Sequence, residues 1–554
     1  MSQSAWDATP LPTFSTLDIS QIEADLTQLL DDNRRQIAAC LAQPEDKGWD
    51  NFVLLLDQIN DNLNHFWSPI SHLNAVQNSP QLRAAYNACL PKLTQYTTEL
   101  GQNRELYQAY KTLAQSPQAQ SFNSAQQEAL RQIVRDFELS GVGLEGEAKV
   151  RYGAINQRLS ELGSQFAEQV LDATQAWSKL ITDEAQLQGL PESALAQAKQ
   201  MAQAKDQEGW LFTLDFPSYM PVMSYADNQA LRQEMYRAFV TRASDQAANG
   251  SQYDNAPLID EILALRHEMA HILGFDNYAE FSVATKMAEN GAQVLDFLDD
   301  LAVKAKPAAA QDLAQLQAFA RDEYQVTQLN AWDLGYYAEK LREHKYAISQ
   351  EVLRPYFPIN KVLSGLFYVA KTLFAIDIKE EAHFDSYHQD VQLFTVSKDG
   401  AEVARFYLDP YAREAKRGGA WMDECRVRRR LSDKRLQLPV AYLVCNFTPP
   451  LGDQPALLTH DEVTTLFHEF GHGLHGLLSR VERRRAQAGL RPRDPRQHRR
   501  PWPRLRHAHR SAGERQPRRG QDDVDRAGLW HGRCDRRRLG RGAPCWTSWV
   551  RTDG

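Results

Sequence analysis

The last 72 residues, 483–554, hold 21 Arg, no Lys, 7 acidic residues and no Ile, Phe, Tyr, Met or Asn. A stretch so poor in large apolar side chains cannot bury enough surface to offset the entropy of ordering itself. Whatever core this 554-residue chain builds is therefore expected within residues 1–482. Charge divides at the same point. The tail carries +14, the rest holds 42 basic and 64 acidic residues for −22, and the two sum to the chain's −8.

Residues 1–482 read as mostly helical. Leu17 to Leu41, Trp49 to Phe66, Pro80 to Tyr110 and Ser124 to Glu138 are amphipathic stretches broken by Pro, Gly or Asn. Glu147 to Ile181 reads as one long helical run, with further helices at Leu258 to Gly274, Val294 to Phe319 and Lys361 to Leu373. Strands are expected late. Val391 to Val396 and Val403 to Leu408 flank Lys398-Asp399-Gly400, a hairpin pattern, and Leu438 to Phe447 is a further strand.

That last strand leads to His468-Glu469-Phe470-Gly471-His472. On a helix, histidines at i and i+4 share a face one turn apart, so both rings can hold one zinc ion. The glutamate between them can take a proton from water and return it to a leaving amine. Thr459-His460-Asp461-Glu462 has the form of a capping box ahead of it. Val463, Leu466, Phe467, Phe470, Leu474, Leu477 and Val481 recur at three- and four-residue spacing and predict a buried stripe. A second run, His267-Glu268-Met269-Ala270-His271, has the same spacing, with Glu280 and Glu289 as possible third ligands. Its plainer reading is a solvated helix face, and spacing alone does not separate the two runs.

Longer motifs separate them. Tyr411-Ala412-Arg413-Glu414-Ala415-Lys416-Arg417-Gly418-Gly419-Ala420-Trp421-Met422, Pro439 to Phe447 and Thr459 to His475 resemble the thimet oligopeptidase family of zinc metallopeptidases, as do Arg135 to Gly141 and Ala284 to Asn290. The resemblance runs from the N-terminal region to about Glu482. It implies a mainly α, two-lobed fold whose deep channel is lined by a small β-sheet, here C-terminally incomplete. It implies one Zn2+ on His468 and His472, with Glu469 as general base and acid. The substrates implied are short unfolded peptides, such as protein-degradation products and cleaved signal peptides, whose backbone can add to a sheet edge. The 267–271 run falls on an ordinary helix of that family.

The family's third zinc ligand is a glutamate about 25 residues past the second histidine, since zinc takes three protein ligands plus water. That count lands among Arg496, Gln497 and His498, and the next glutamate after Glu482 is Glu514. The family's later histidine and tyrosine, which hold the substrate carbonyl, have no tyrosine to match in the tail. Arg, Gly, Pro and Ala in excess are what GC-rich DNA yields out of frame, so a frameshift near codon 483 is expected. The Arg426-Val427-Arg428-Arg429-Arg430 patch also departs from the family pattern, as a compensated slip or a surface loop. A zinc enzyme impaired in this copy is the leading expectation, with Leu474 and Leu477 left partly exposed. The alternatives are an inactive peptide-binding scaffold, or nucleic-acid binding through the tail arginines with Trp502, Trp530, Trp546 and Trp549.

The remaining features suit a cytoplasmic enzyme. Met1 to Gln21 shows no secretory pattern, and no apolar run is long enough to span a membrane. Cys40, Cys89, Cys425, Cys445, Cys534 and Cys545 have neither metal nor disulfide spacing. The acidic body argues against nucleic acid as its partner. Oligomeric state is not legible.

Overall fold

A computed structural model describes residues 11–43, 46–248, 250–431, 435–452 and 454–478. The boundary expected at 482/483, Val481, His498, Cys534 and Cys545 lie outside them. The fold is mainly α-helical, with one five-stranded sheet and two two-stranded ribbons among the described residues.

Most of the expected helices form. Ile22–Ala42, Leu54–Val76, Pro80–Gly101, Arg104–Gln115 and Ser124–Leu139 make an N-terminal layer. Asn103, two residues past the end of one helix, caps the next, accepting at Oδ1 from the Leu106 amide at 3.0 Å. The run expected over Glu147 to Ile181 stops earlier, because Gly146–Gln175 is helical but Ser178–Ile181 is a strand, β1. It pairs antiparallel with β2, Trp210–Thr213. No Gly or Pro marks that break, and partner-strand pairing overrides the local pattern.

The larger sheet contains β3 (Asp377–Glu380), β4 (Gln392–Lys398), β5 (Ala401–Tyr411), β6 (Trp421–Arg426) and β9 (Val440–Phe447), in the order β3-β4-β5-β9-β6. Between them, β7 (Arg429–Arg430) and β8 (Leu436–Gln437) form a ribbon. The expected hairpin is β4–β5, and Asp399 and Gly400 at its turn have φ of 52° and 78°. Two successive positive φ values match the twist of the flanking strands, which is why Asp-Gly sits there. β5 and β9 run parallel, while β6 pairs antiparallel with β9 and forms the outer edge.

Strand alternation sends β9 side chains to two different cores. Val440, Tyr442 and Val444 face the N-terminal helices, with Leu26, Leu30, Ile70, Leu73 and Tyr96. Ala441, Leu443, Cys445 and Phe447 face the Ile359–Phe374 helix and the His460–Leu478 helix. The second of these carries the HEFGH run, and its Leu466, Phe470, Leu474 and Leu477 are buried against the sheet. At roughly 1.5–3 kcal/mol for each such side chain, this is the main force seating that helix. Leu474 and Leu477 are thus covered by the sheet, at 9% and 2% exposure, which corrects the expectation that they would be partly exposed. Phe467, placed in the buried stripe by spacing, is instead 39% exposed.

The Arg-rich patch is built into the fold. Arg429 is buried and pairs with Asp57 Oδ2 at 2.7 Å and Asp61 Oδ2 at 3.0 Å on the Leu54–Val76 helix. Gln437, also buried, donates from Nε2 to Asp61 Oδ1 at 3.2 Å.

His72 lies inside the N-terminal core, stacked on Tyr442 with ring centroids 3.7 Å apart and planes 8° from parallel. Burial pushes its imidazole down to about 3, against the opposing pull of Asp409. Folded His72 therefore stays neutral in the range where an unfolded histidine, of pKa about 6.5, takes up a proton. Its contribution to stability is full above that pH and drains as pH falls toward the folded value, by about 1.4 kcal/mol per pH unit. Urea midpoints between about pH 7 and about pH 4.5 should fall less steeply in His72→Phe than in the parent, by about one proton's worth. Equal slopes would exclude His72 as a source of the acid sensitivity.

Gly473 sets the distance between the HEFGH helix and the sheet, since a Cβ there would lie 3.1 Å from Leu443 Cδ2. A Cβ at Gly471 meets nothing within 4 Å among the described residues. Thermal melts should show Gly473→Val destabilised by about 1–3 kcal/mol through overpacking. Gly471→Ala should gain up to about 1 kcal/mol from helix propensity. The reverse order would mean that the helix does not seat on β9 in this way.

Candidate metal centre

The HEFGH helix is fixed at its start. Thr459 Oγ1 accepts from the Glu462 amide at 3.1 Å, and Glu462 Oε2 accepts from the Thr459 amide at 2.7 Å, so the expected capping box forms. Glu462 Oε1 also accepts from the Thr448 amide at 2.7 Å and its hydroxyl at 3.0 Å, tying the helix to the chain just after β9. Gln350 Oε1 accepts from the His460 amide at 3.1 Å, and Arg354 Nη1 donates to Leu457 O at 3.0 Å. Asp461 and Glu462 in the first turn suit the positive end of the helix dipole.

Further along the helix, His468 and His472 lie on the exposed face. Their Nε2 atoms approach to 3.0 Å, with ring planes at 83°. Two nitrogens bound at about 2.0–2.1 Å in a tetrahedral site stand about 3.3 Å apart, so the pair has the bite of a chelate. Glu469 is turned toward the sheet and is 8% exposed. It lies in electrostatic reach of Cys445, whose thiol is pushed well up by burial and, less strongly, by the Glu469 carboxylate. No group of three or more His, Cys, Asp or Glu side chains that could hold a metal occurs among the described residues. The described residues thus fit two of the three protein ligands that a catalytic zinc takes. The position counted for the third, near Gln497, lies outside them.

The second run is committed elsewhere. Arg151 Nε and Nη2 grip the Glu268 carboxylate at 2.6 Å each. His271 Nδ1 contacts His267 O at 2.9 Å, and Glu280 Oε1 accepts from the Gly291 amide at 3.0 Å. His267-Glu268-Met269-Ala270-His271 is therefore a solvated helix face tied to its neighbour.

Sequence spacing did not reveal the polar cluster behind the sheet. Asp409 is fully buried. Arg413 Nη1 and Nη2 bind its two oxygens at 2.7 and 2.8 Å, Lys416 Nζ binds Oδ1 at 2.7 Å, and the Tyr387 hydroxyl donates to Oδ2 at 3.0 Å. Burial tends to raise the carboxyl, but Arg413 and Lys416 outweigh it and hold Asp409 below its ordinary value. Burial pushes Lys416 down to about 8 despite Asp409. The only hint in the sequence was the charge-rich, aliphatic-poor run Tyr411 to Gly419 between two strands.

Similarity to known proteins identifies the family. A model of peptidase family M3 matches residues 222–494, and one of the neurolysin/thimet oligopeptidase N-terminal domain matches residues 20–149. Oligopeptidase A of Salmonella typhimurium is 54% identical over 473 residues, covering 85% of this chain and 70% of its own. Oligopeptidase A of Escherichia coli matches to the same extent. Among solved structures, PZ peptidase A aligns over 83% of this chain and 64% of its own, at 13% identity and a TM-score of 0.42. By family models and close relatives together, the chain belongs to peptidase family M3 and is a metallopeptidase.

Proposed function

We propose that this chain is the peptide-binding and metal-binding part of a zinc oligopeptidase acting on short unfolded peptides, such as protein-degradation products and cleaved signal peptides. The observation that carries this reading is the 3.0 Å approach of His468 and His472 on a helix seated against the five-stranded sheet. His468 and His472 hold the ion. When bound, the ion supplies the Lewis acidity that polarises a peptide carbonyl and acidifies water. Glu469 takes the proton from the attacking water and returns it to the leaving amine. Glu469 stands next to His468 in the chain and is 8% exposed, so its carboxylate is held largely out of bulk solvent. β6 supports an extended substrate by backbone pairing, which gives affinity with little side-chain preference. A cytoplasmic location follows the same reading. No helix among the described residues is long and apolar enough to cross a membrane.

Catalysis by this copy is impaired in our reading, because two protein ligands hold zinc less tightly than three. After dialysis against a weak chelator the chain should retain less than one zinc, and His472→Ala should retain almost none. Full stoichiometric zinc with peptide turnover equal to that of the Salmonella relative would overturn the impairment. Glu469→Gln at the matching position of that relative should keep zinc and lose about 10²–10⁴ in rate. Unchanged turnover would remove Glu469 from the chemistry. Sequencing past codon 470 in all frames tests the tail. A frame restoring a glutamate near the expected count supports a frameshift, and its absence favours the tail's own role in nucleic-acid binding.

A further inference from the structure

β6 is an edge strand, but little of its outer edge is open. The β9 backbone fixes which groups point outward. The Arg405 amide of β5 donates to Pro439 O, so alternate residues of β9 from 439 bond to β5 and those from 440 bond to β6. Tyr442 and Val444 thus exchange bonds with Asp423 and Trp421, and the N–H and C=O groups of Met422 and Glu424 point away from the sheet.

At Glu424 both outward groups are already used. Its amide donates to Asp423 Oδ1 at 2.9 Å, and its carbonyl accepts from Ser68 Oγ, on the Leu54–Val76 helix, at 3.1 Å. One residue on, the Cys425 carbonyl accepts from Arg426 Nη1 at 2.9 Å. At the other end, the Gly419 carbonyl accepts from Asn446 Nδ2 at 2.6 Å, and the same amide group donates to Arg417 O at 2.9 Å. Between these seals, the Met422 amide and carbonyl meet no partner among the described residues. The Met422 side chain lies on the HEFGH side, 3.8 Å from where a Cβ at Gly476 would be, one turn past His472.

We propose that Ser68 and Asp423 are specificity-determining residues that end the peptide-docking edge, leaving a window of one strand unit at Met422, extended to Ala420 by the same alternation. This rests on the reading that β6 takes an extended peptide. A peptide paired antiparallel with β6 exchanges two hydrogen bonds with Met422. Its residue two positions earlier reaches Glu424 and finds both groups occupied. Backbone affinity therefore stops growing with length on that side, and short peptides bind as well as longer ones.

The test uses the full chain in chelator, so that nothing is cleaved. The probes are N-acetylated oligo-alanine peptides with a C-terminal fluorophore, lengthened two residues at a time, and binding is read by anisotropy. In the parent, affinity should rise and then level off. In Ser68→Ala, whose new side chain suits a helix interior, the levelling should move out by one two-residue step. The longer peptide should then bind about two- to tenfold more tightly. Ser68→Thr, which keeps a hydroxyl donor, should behave as the parent, and Ser68→Ala with Asp423→Ala should add the second bond. Amide exchange at Met422 should slow on peptide saturation in every form. If Met422 slows but the levelling point is unchanged in both the single and double variants, the proposed role of Ser68 and Asp423 fails and the docking edge stands. If no peptide slows Met422, the docking reading itself fails.

Discussion

The structure turns on a carboxylate with no contact to solvent. Asp409 sits near the end of β5, and Arg413 and Lys416 from the loop after it and Tyr387 from before β4 converge on it. Two cations and one anion buried together are costly to desolvate, and are tolerated only where hydrogen bonds satisfy nearly every donor. That condition is met. Lys416 Nζ also donates to Tyr411 O at 2.7 Å and Cys445 O at 2.6 Å, and Arg413 Nη2 donates to Val76 O at 2.9 Å. The cluster thereby fixes the loop between β5 and β6 to the C-terminal end of β9 and to the end of the Leu54–Val76 helix. Backbone bonds from the Asn78 amide to Ala415 O and from the Arg417 amide to Ala75 O complete the seam.

The seam meets the site on both of its sides. Cys445, whose carbonyl receives Lys416, faces the HEFGH helix near Glu469. Asn446, the next residue, holds the Gly419 carbonyl and so sets where β6 begins. The helix that supplies Ala75 and Val76 also supplies Ser68, which closes the far end of the edge. One buried ion cluster thus anchors the strand on which the histidine helix packs and the loop that leads into the stretch of backbone left open to a peptide. Precision of this kind is what binding and catalytic groups need from their supporting residues.

The sequence made the parts with strong local patterns legible. The capping box at Thr459, the Asp399-Gly400 turn and the two histidines one turn apart all follow from rules of a few residues. Patterns failed where distant chain supplied the partner. β1 continues a helix-like sequence and becomes a strand only because β2 pairs with it. β6, reading Trp-Met-Asp-Glu-Cys-Arg, has too many polar residues to look like a strand, because one side of it is an edge. Arg429 sits in what read as a slip or a surface loop, yet its carboxylates are Asp57 and Asp61, far back in the chain. The apolar stripe on the HEFGH helix misplaced Phe467 and gave no sign that Glu469 is buried. Beside the histidines the helix exposes an aromatic ring and buries a charged group, reversing the rule that finds stripes.

Seating the helix and completing the metal site are separable in this chain. The helix is held by Leu466, Phe470, Leu474 and Leu477 on the sheet, by Glu462 at its start and by the close approach at Gly473, all of them described residues. None of these contacts uses the histidines, which project from the opposite face. The apolar face, and not the histidines, sets the helix's position. Small zinc domains differ in that ligand binding and folding are the same event. In this chain a third donor would add affinity and reactivity to a surface already shaped by packing, and the docking edge at Met422 does not depend on it.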